Sequence, residues 1–156
     1  MQGNADVIQV LNDVLSAELT AINQYFIHAM MNHNWRYERL AKHSKEESVE
    51  EMQHAQQLIE RILYLEGTPN MQKYMKINVG RSVPEQHQFD LALERQAVER
   101  LNKGLELCRE KGDNGSRLLL EKVLAAEEEH IDWLEAQLEQ IETIGIENYL
   151  AQQIDA

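Results

Sequence analysis

The chain has 156 residues, with 27 acidic against 15 basic side chains, a formal net charge of -12 and an isoelectric point near 4.9. That acidity argues against a nucleic-acid partner and suits a surface or cavity that attracts cations. The single cysteine, Cys108, leaves no disulfide framework and points to the cytosol; from the start, Met1-Gln2-Gly3-Asn4-Ala5-Asp6, which is neither basic nor apolar, the expectation is that there is no secretory signal, and no apolar run is long enough to span a bilayer.

Only Gly3 and Gly104, among seven glycines and two prolines, lie outside three short zones at 67–84, 112–115 and 145. The stretches between are rich in Leu, Ala, Glu and Gln, which favour helix, and the expectation is an all-α domain over 1–156 with four long helices and a short fifth. The first runs over about 6–32, with Ile8, Leu11, Leu15, Glu18, Ile22, Tyr25 and Ala29 recurring at helical spacing along its core-facing stripe. The second covers about 35–66, and its stripe reads Glu47, Glu51, His54, Leu58, Ile62 and Leu65. Gly67 and Pro69 stop it, and regular structure resumes at Ser82-Val83-Pro84-Glu85, a capping box with a proline in the first turn. The intervening linker reaches about 50 Å when extended, against about 45 Å for a 30-residue helix. It can therefore return the chain to the end where the second helix began, leaving the second and third helices parallel.

The third helix, about 84–111, carries His87, Leu91, Glu94, Val98, Leu101, Leu105 and Cys108 on one stripe. The short turn Gly112-Asp113-Asn114-Gly115 forces an antiparallel fourth helix at about 116–143, with Leu120, Val123, Glu127, His130, Leu134, Leu138 and Ile141. Gly145 is expected to end it as a left-handed cap, and 146–154 reads as a short amphipathic helix around Tyr149 and Leu150.

Two copies of one pattern, Glu51-x-x-His54 and Glu127-x-x-His130, stand out. Residues three apart on a helix share a face, so each pair aims a carboxylate and an imidazole at one point. The offset that relates the two pairs also carries Glu18 onto Glu94, Leu15 onto Leu91, Ile22 onto Val98, Leu58 onto Leu134 and Ile62 onto Leu138. The two helix pairs thus read as halves of a pseudo-symmetric four-helix bundle, and the layout is that of a di-metal carboxylate site. Four buried carboxylates would protonate or unfold the bundle unless compensated, and two divalent cations cancel them. Oxygen and imidazole ligands suit iron, manganese or zinc. Glu51 and Glu127, central in their helices, are expected to bridge the metals, with Glu18 and Glu94 terminal and His54 and His130 giving one nitrogen each. Either pair alone would be an ordinary solvated motif; the matched offsets on four helices favour the site. Tyr25, two turns after Glu18, reads equally as a group pointing into the site and as a core tyrosine with a satisfied hydroxyl.

Asn23-Gln24-Tyr25-Phe26, Glu51-Met52-Gln53-His54-Ala55, Ile59-Glu60-Arg61-Ile62-Leu63, Leu65-Glu66-Gly67, Glu128-Glu129-His130-Ile131-Asp132-Trp133-Leu134-Glu135 and Glu147-Asn148-Tyr149-Leu150 resemble bacterioferritin over nearly the whole chain. The resemblance implies a ferritin-like four-helix bundle with a long crossover between its second and third helices, assembled as a hollow 24-mer shell of haem-bridged dimers. It implies iron storage and a ferroxidase that oxidises ferrous iron with dioxygen or peroxide at a di-iron site. The ligands would be Glu18, Glu51, His54, Glu94, Glu127 and His130, and a ferredoxin-type reductant is a possible partner. By itself Met52 reads as a packing methionine; the resemblance implies that Met52 from two subunits grips one haem b iron, with Leu19, Ile22, Asn23 and Phe26 as neighbours. The better-known members carry Tyr, His and Asp where this chain has Lys45, Glu46 and Glu50, and Gln in place of Ala151. Competing readings are another di-metal enzyme on the same bundle, such as a manganese catalase, and a haem-carrying cage or electron-transfer subunit with weak ferroxidase activity. A rubrerythrin-like peroxidase is disfavoured because no Cys-x-x-Cys motif is present.

Overall fold

The computed structural model describes residues 1–156 as five helices: α1 (Ala5–Asn34), α2 (Glu38–Tyr64), α3 (Val83–Glu110), α4 (Asn114–Ile144) and α5 (Ile146–Ala151). None is long and apolar enough to cross a membrane. Helix α1 packs on α2 and α3, and α4 packs on α3, α2 and α5. The Gly3 amide donates to Leu65 O (2.9 Å), which sets α1 antiparallel to α2. At the other end of α1, Asn32 donates to Gln86 (2.9 Å), so α3 starts where α2 started and the two run parallel, as the linker length allows.

The helix ends explain where expected and observed boundaries differ. Asn4 caps α1 by accepting from the amides of Asp6 and Val7. Trp35, expected inside the second helix, instead closes α1, and Arg36 takes a positive φ of 71° to reverse the chain, delaying α2 to Glu38. At the far end of α2 the positive-φ residue is Glu66 (63°) rather than Gly67; what Gly67 supplies is space, since a Cβ there would lie 2.7 Å from Ile8 Cγ2. Ser82 caps α3 as expected, while Glu85 reaches back to the Arg81 amide (2.9 Å). Asp113 accepts from the Ser116 amide (2.9 Å) and takes Arg61 from α2 (2.7 Å), so α4 begins two residues before the expected start. Gly145 has a positive φ but a ψ of 153°, a glycine-only conformation rather than the left-handed cap expected, because it ends α4 and opens α5 at once. Helix α5 stops at Ala151, short of 154.

A polar ladder that the apolar stripes gave no hint of fixes the crossover. Asn12, Ser16, Thr20, Gln24, His28 and Asn32 recur every fourth residue on α1, and the last five are buried. Asn12 accepts from the Asn70 amide (2.8 Å), Thr20 from Met75 (2.9 Å), Gln24 from Asn78 (3.1 Å) and His28 Nε2 from Gly80 (2.9 Å). The linker amides at Met75, Asn78 and Gly80, partly or fully buried, thereby find the partners they need. Asp90 on α3 joins the ladder, accepting from Gln24 (2.9 Å) and lying 3.0 Å from His28 Nδ1.

Two apolar plugs fill the bundle. One gathers Leu11, Leu15, Leu58, Ile62, Leu101 and Leu120 at the end where α1 begins; the other gathers Leu40, Val83 and Tyr149, flanked by Trp35 and Trp133. The polar cluster described next lies between them. We expect Thr20→Val, which strips the Met75 amide of its acceptor, to cost about 1–3 kcal/mol, read as a lower midpoint in thermal unfolding.

Candidate metal centre

Glu18 from α1, Glu51 and His54 from α2, Glu94 from α3, and Glu127 and His130 from α4 converge at the middle of the bundle, all buried. They form two overlapping groups, Glu18-Glu51-His54-Glu127 and Glu51-Glu94-Glu127-His130, each with its ligand atoms within 4.8 Å of one another. Glu51 and Glu127 belong to both. His54 Nδ1 lies 3.7 Å from Glu18 Oε2, 3.5 Å from Glu51 Oε2 and 3.3 Å from Glu127 Oε1. His130 Nδ1 lies 3.2 Å from Glu51 Oε1, 3.5 Å from Glu94 Oε1 and 3.5 Å from Glu127 Oε2. Each central carboxylate therefore turns one oxygen to each imidazole, the disposition a bridging ligand needs.

Most of these contacts are too long for good hydrogen bonds. Glu18 Oε2, both oxygens of Glu51, Glu94 Oε2, Glu127 Oε1 and both Nδ1 atoms are buried with no hydrogen-bond partner. Orphaned acceptors that all face one small volume fit a pair of cations, and nitrogen with carboxylate oxygen suits iron, manganese or zinc. Burial opposes charge on His54, but Glu127 and Glu51 outweigh it and raise its pKa to about 10; His130 is raised as well, by Glu127, Glu47, Glu51 and Glu94. Burial and the Glu127 charge push Glu94 well above the carboxylate range, with His130 opposing. Without cations the cluster thus holds protons that an incoming metal must displace.

The two halves differ in their surroundings. His130 Nε2 meets Glu47 and Glu50 (2.9 Å), so with Nε2 protonated its Nδ1 lone pair faces the cluster. Tyr25 donates to Glu94 Oε1 (2.6 Å), and burial with the Glu94 charge pushes its phenol well above the usual range. The pseudo-symmetric counterparts of Glu47, Glu50 and Tyr25 are Val123, Ala126 and Leu101, so the His54 half has no such support. The contacts of Glu47 and Glu50 with His130 were not foreseen; the available signal was that Glu47 sits one turn before Glu51 on the same stripe.

Met52 points away from this cluster and is exposed, as its position next to Glu51 requires. It borders an open, mainly apolar hollow of about 380 Å³ with Leu19, Ile22, Asn23, Met71 and Tyr74. Phe26, one turn beyond Ile22 and Asn23 on the same face of α1, is exposed as well. A thioether over an open apolar wall fits half of a haem site completed by a second copy.

A bundle with a long crossover, a short fifth helix and this central cluster defines a ferritin-like protein. The family model Ferritin, described as a ferritin-like domain, matches residues 8–144. Bacterioferritin BfrA of Mycobacterium tuberculosis is 49% identical over 152 residues, covering 97% of this chain and 96% of its own. The bacterioferritin of Streptomyces coelicolor is 47% identical over 155 residues (99% and 93%), and that of Brucella melitensis 44% over 149 (96% and 92%). The chain therefore belongs to the ferritin-like family and, within it, to the bacterioferritins.

Glu47→Ala should weaken zinc binding at the His130 half by about 10–100-fold while leaving the His54 half unchanged, giving two separated steps in calorimetric titration where the unaltered protein gives closer ones.

Proposed function

We propose that this protein oxidises ferrous iron at the central cluster and stores the ferric product inside a shell of its own copies. The observation that carries the reading is the pair Glu51 and Glu127, each dividing its oxygens between two imidazoles amid orphaned ligand atoms. Ferrous iron is the substrate, held by Glu18, His54 and the two shared carboxylates on one side and by Glu94, His130 and the same carboxylates on the other. Two ferrous ions so placed give up two electrons together to dioxygen or peroxide. Glu51 and Glu127 keep the ions adjacent, Glu47 and Glu50 orient His130, and Tyr25 supplies a hydrogen bond to Glu94. The apolar plugs keep bulk water from competing for the ligands.

The family membership supports assembly with further copies of this chain; on this reading the assembly is a 24-mer and a ferredoxin-type reductant drives iron release. It also supports haem b, which Met52 of two copies would hold and which would supply electron transfer; the open hollow beside Met52 is consistent with this.

In anaerobic protein given ferrous iron and then oxygen, Glu18→Ala or Glu127→Ala should slow the fast rise in ferric absorbance at least about tenfold, with assembly retained on sizing chromatography. Unchanged oxidation in both variants would overturn the assignment and leave a haem-carrying cage as the better reading. Met52→Leu should abolish the methionine-ligated haem spectrum and leave fast oxidation intact; loss of both together would show that the sites are not separate.

A further inference from the structure

Beside the His130 half lies a small cavity of about 10 Å³, room for one water, lined by Tyr25, His43, Glu47, His87, Asp90, His130 and Trp133 among others. Outside it is a polar recess of about 800 Å³ bordered by Arg39, Lys42, Glu46, Gln137 and Gln140. Only His43 and Trp133 line both. Their rings stack at 3.6 Å and 15° and together form the partition. His43 Nε2 lies 3.4 Å from Glu47 Oε1, while the other oxygen of Glu47 meets His130, so the ring is held against the inner cavity with a partly exposed edge toward the recess.

We propose that His43 carries protons between the metal centre and the recess, an inference that rests on the iron-oxidising reading above. Ferrous iron that ends as ferric oxyhydroxide, with dioxygen as oxidant and water as the source of the remaining oxygen, releases two protons per ion. These must leave a site closed by apolar plugs at both ends. In the step itself, one ring nitrogen of neutral His43 takes a proton from water in the cavity and the other gives its own proton to water in the recess. The ring ends neutral with its tautomer reversed, and a ring flip resets it.

The groups facing His43 are Glu46 and Glu47 on α2, Asp90 and His87 on α3 and His130 on α4, with Arg39 and Lys42 at the recess. Burial lowers its pKa and Glu47 offsets part of the effect, so His43 is neutral near pH 7 and ready to accept. Burial, with His43 and His28, takes His87 down to about 3, and its Nε2 is engaged by the Tyr149 hydroxyl (3.0 Å), so it cannot take up this task.

Two measurements test the proposal on the full-length protein. In metal-free Trp35→Phe protein, emission from the remaining Trp133 should fall as His43 protonates, with a midpoint below 6.5, and His43→Phe should abolish that transition. In stopped flow with redox-silent zinc and a pH indicator, His43→Phe, or His43→Gln where Phe does not fold, should bind the same amount of zinc as the unaltered protein. It should release protons roughly tenfold more slowly, with a rate that no longer falls on acidification through the His43 transition. Zinc uptake with proton release as fast as in the unaltered protein, or a fall in zinc stoichiometry, overturns the proposal alone. Failure of the unaltered protein to bind zinc overturns the metal-centre reading and this proposal with it.

Discussion

Four carboxylates set between two apolar plugs cannot remain as four bare charges. The nearest basic groups in the core are the two imidazoles of the cluster itself, and their raised pKa values show how strongly the surrounding acids demand positive charge. Protons can meet that demand in part, but they leave ligand oxygens and nitrogens without hydrogen-bond partners. Divalent cations meet it in full. Helices α1, α3 and α4 begin at side-chain caps, and all four long helices meet in buried leucines, a scaffold whose contacts do not involve the ligand side chains.

Pseudo-symmetry places the ligands, and departures from it give the centre a direction. The ligand types repeat from one half to the other, whereas Tyr25, Glu47 and Glu50 have apolar counterparts in Leu101, Val123 and Ala126. All the added polarity gathers around His130 and Glu94, on the side where the small cavity and the His43-Trp133 partition lie. The His54 half faces the larger apolar plug. Two candidate metal positions with the same ligand types thus differ in dielectric surroundings and in access, which is how one duplicated framework can give two positions different work.

The convergence of the six Glu and His side chains was legible in the sequence because helical periodicity and a single repeat offset suffice to place side chains on a shared axis. The boundaries were less so. The tight reversal between α1 and α2 falls on Arg36 and the end of α2 on Glu66, and neither residue type advertises a positive φ; the neighbouring glycine serves a steric purpose instead. The residues behind the ligands were also hidden, because Glu47 and His43 acquire meaning only from what α4 brings opposite them. The same holds for the polar residues of α1, whose partners are backbone amides that no side-chain pattern reveals.

Those α1 residues make the crossover behave like a rack laid along a pinion. Each four-residue step of α1 advances about 6 Å, and Thr20, Gln24 and His28 engage Met75, Asn78 and Gly80, so the linker advances three residues over the first step and two over the second. Because these intervals are unequal, removing one residue between Met75 and Gly80 would pull at least one of the three amides off its acceptor. The length of this connection is therefore constrained by where its amides must meet α1, and not only by the distance it has to span.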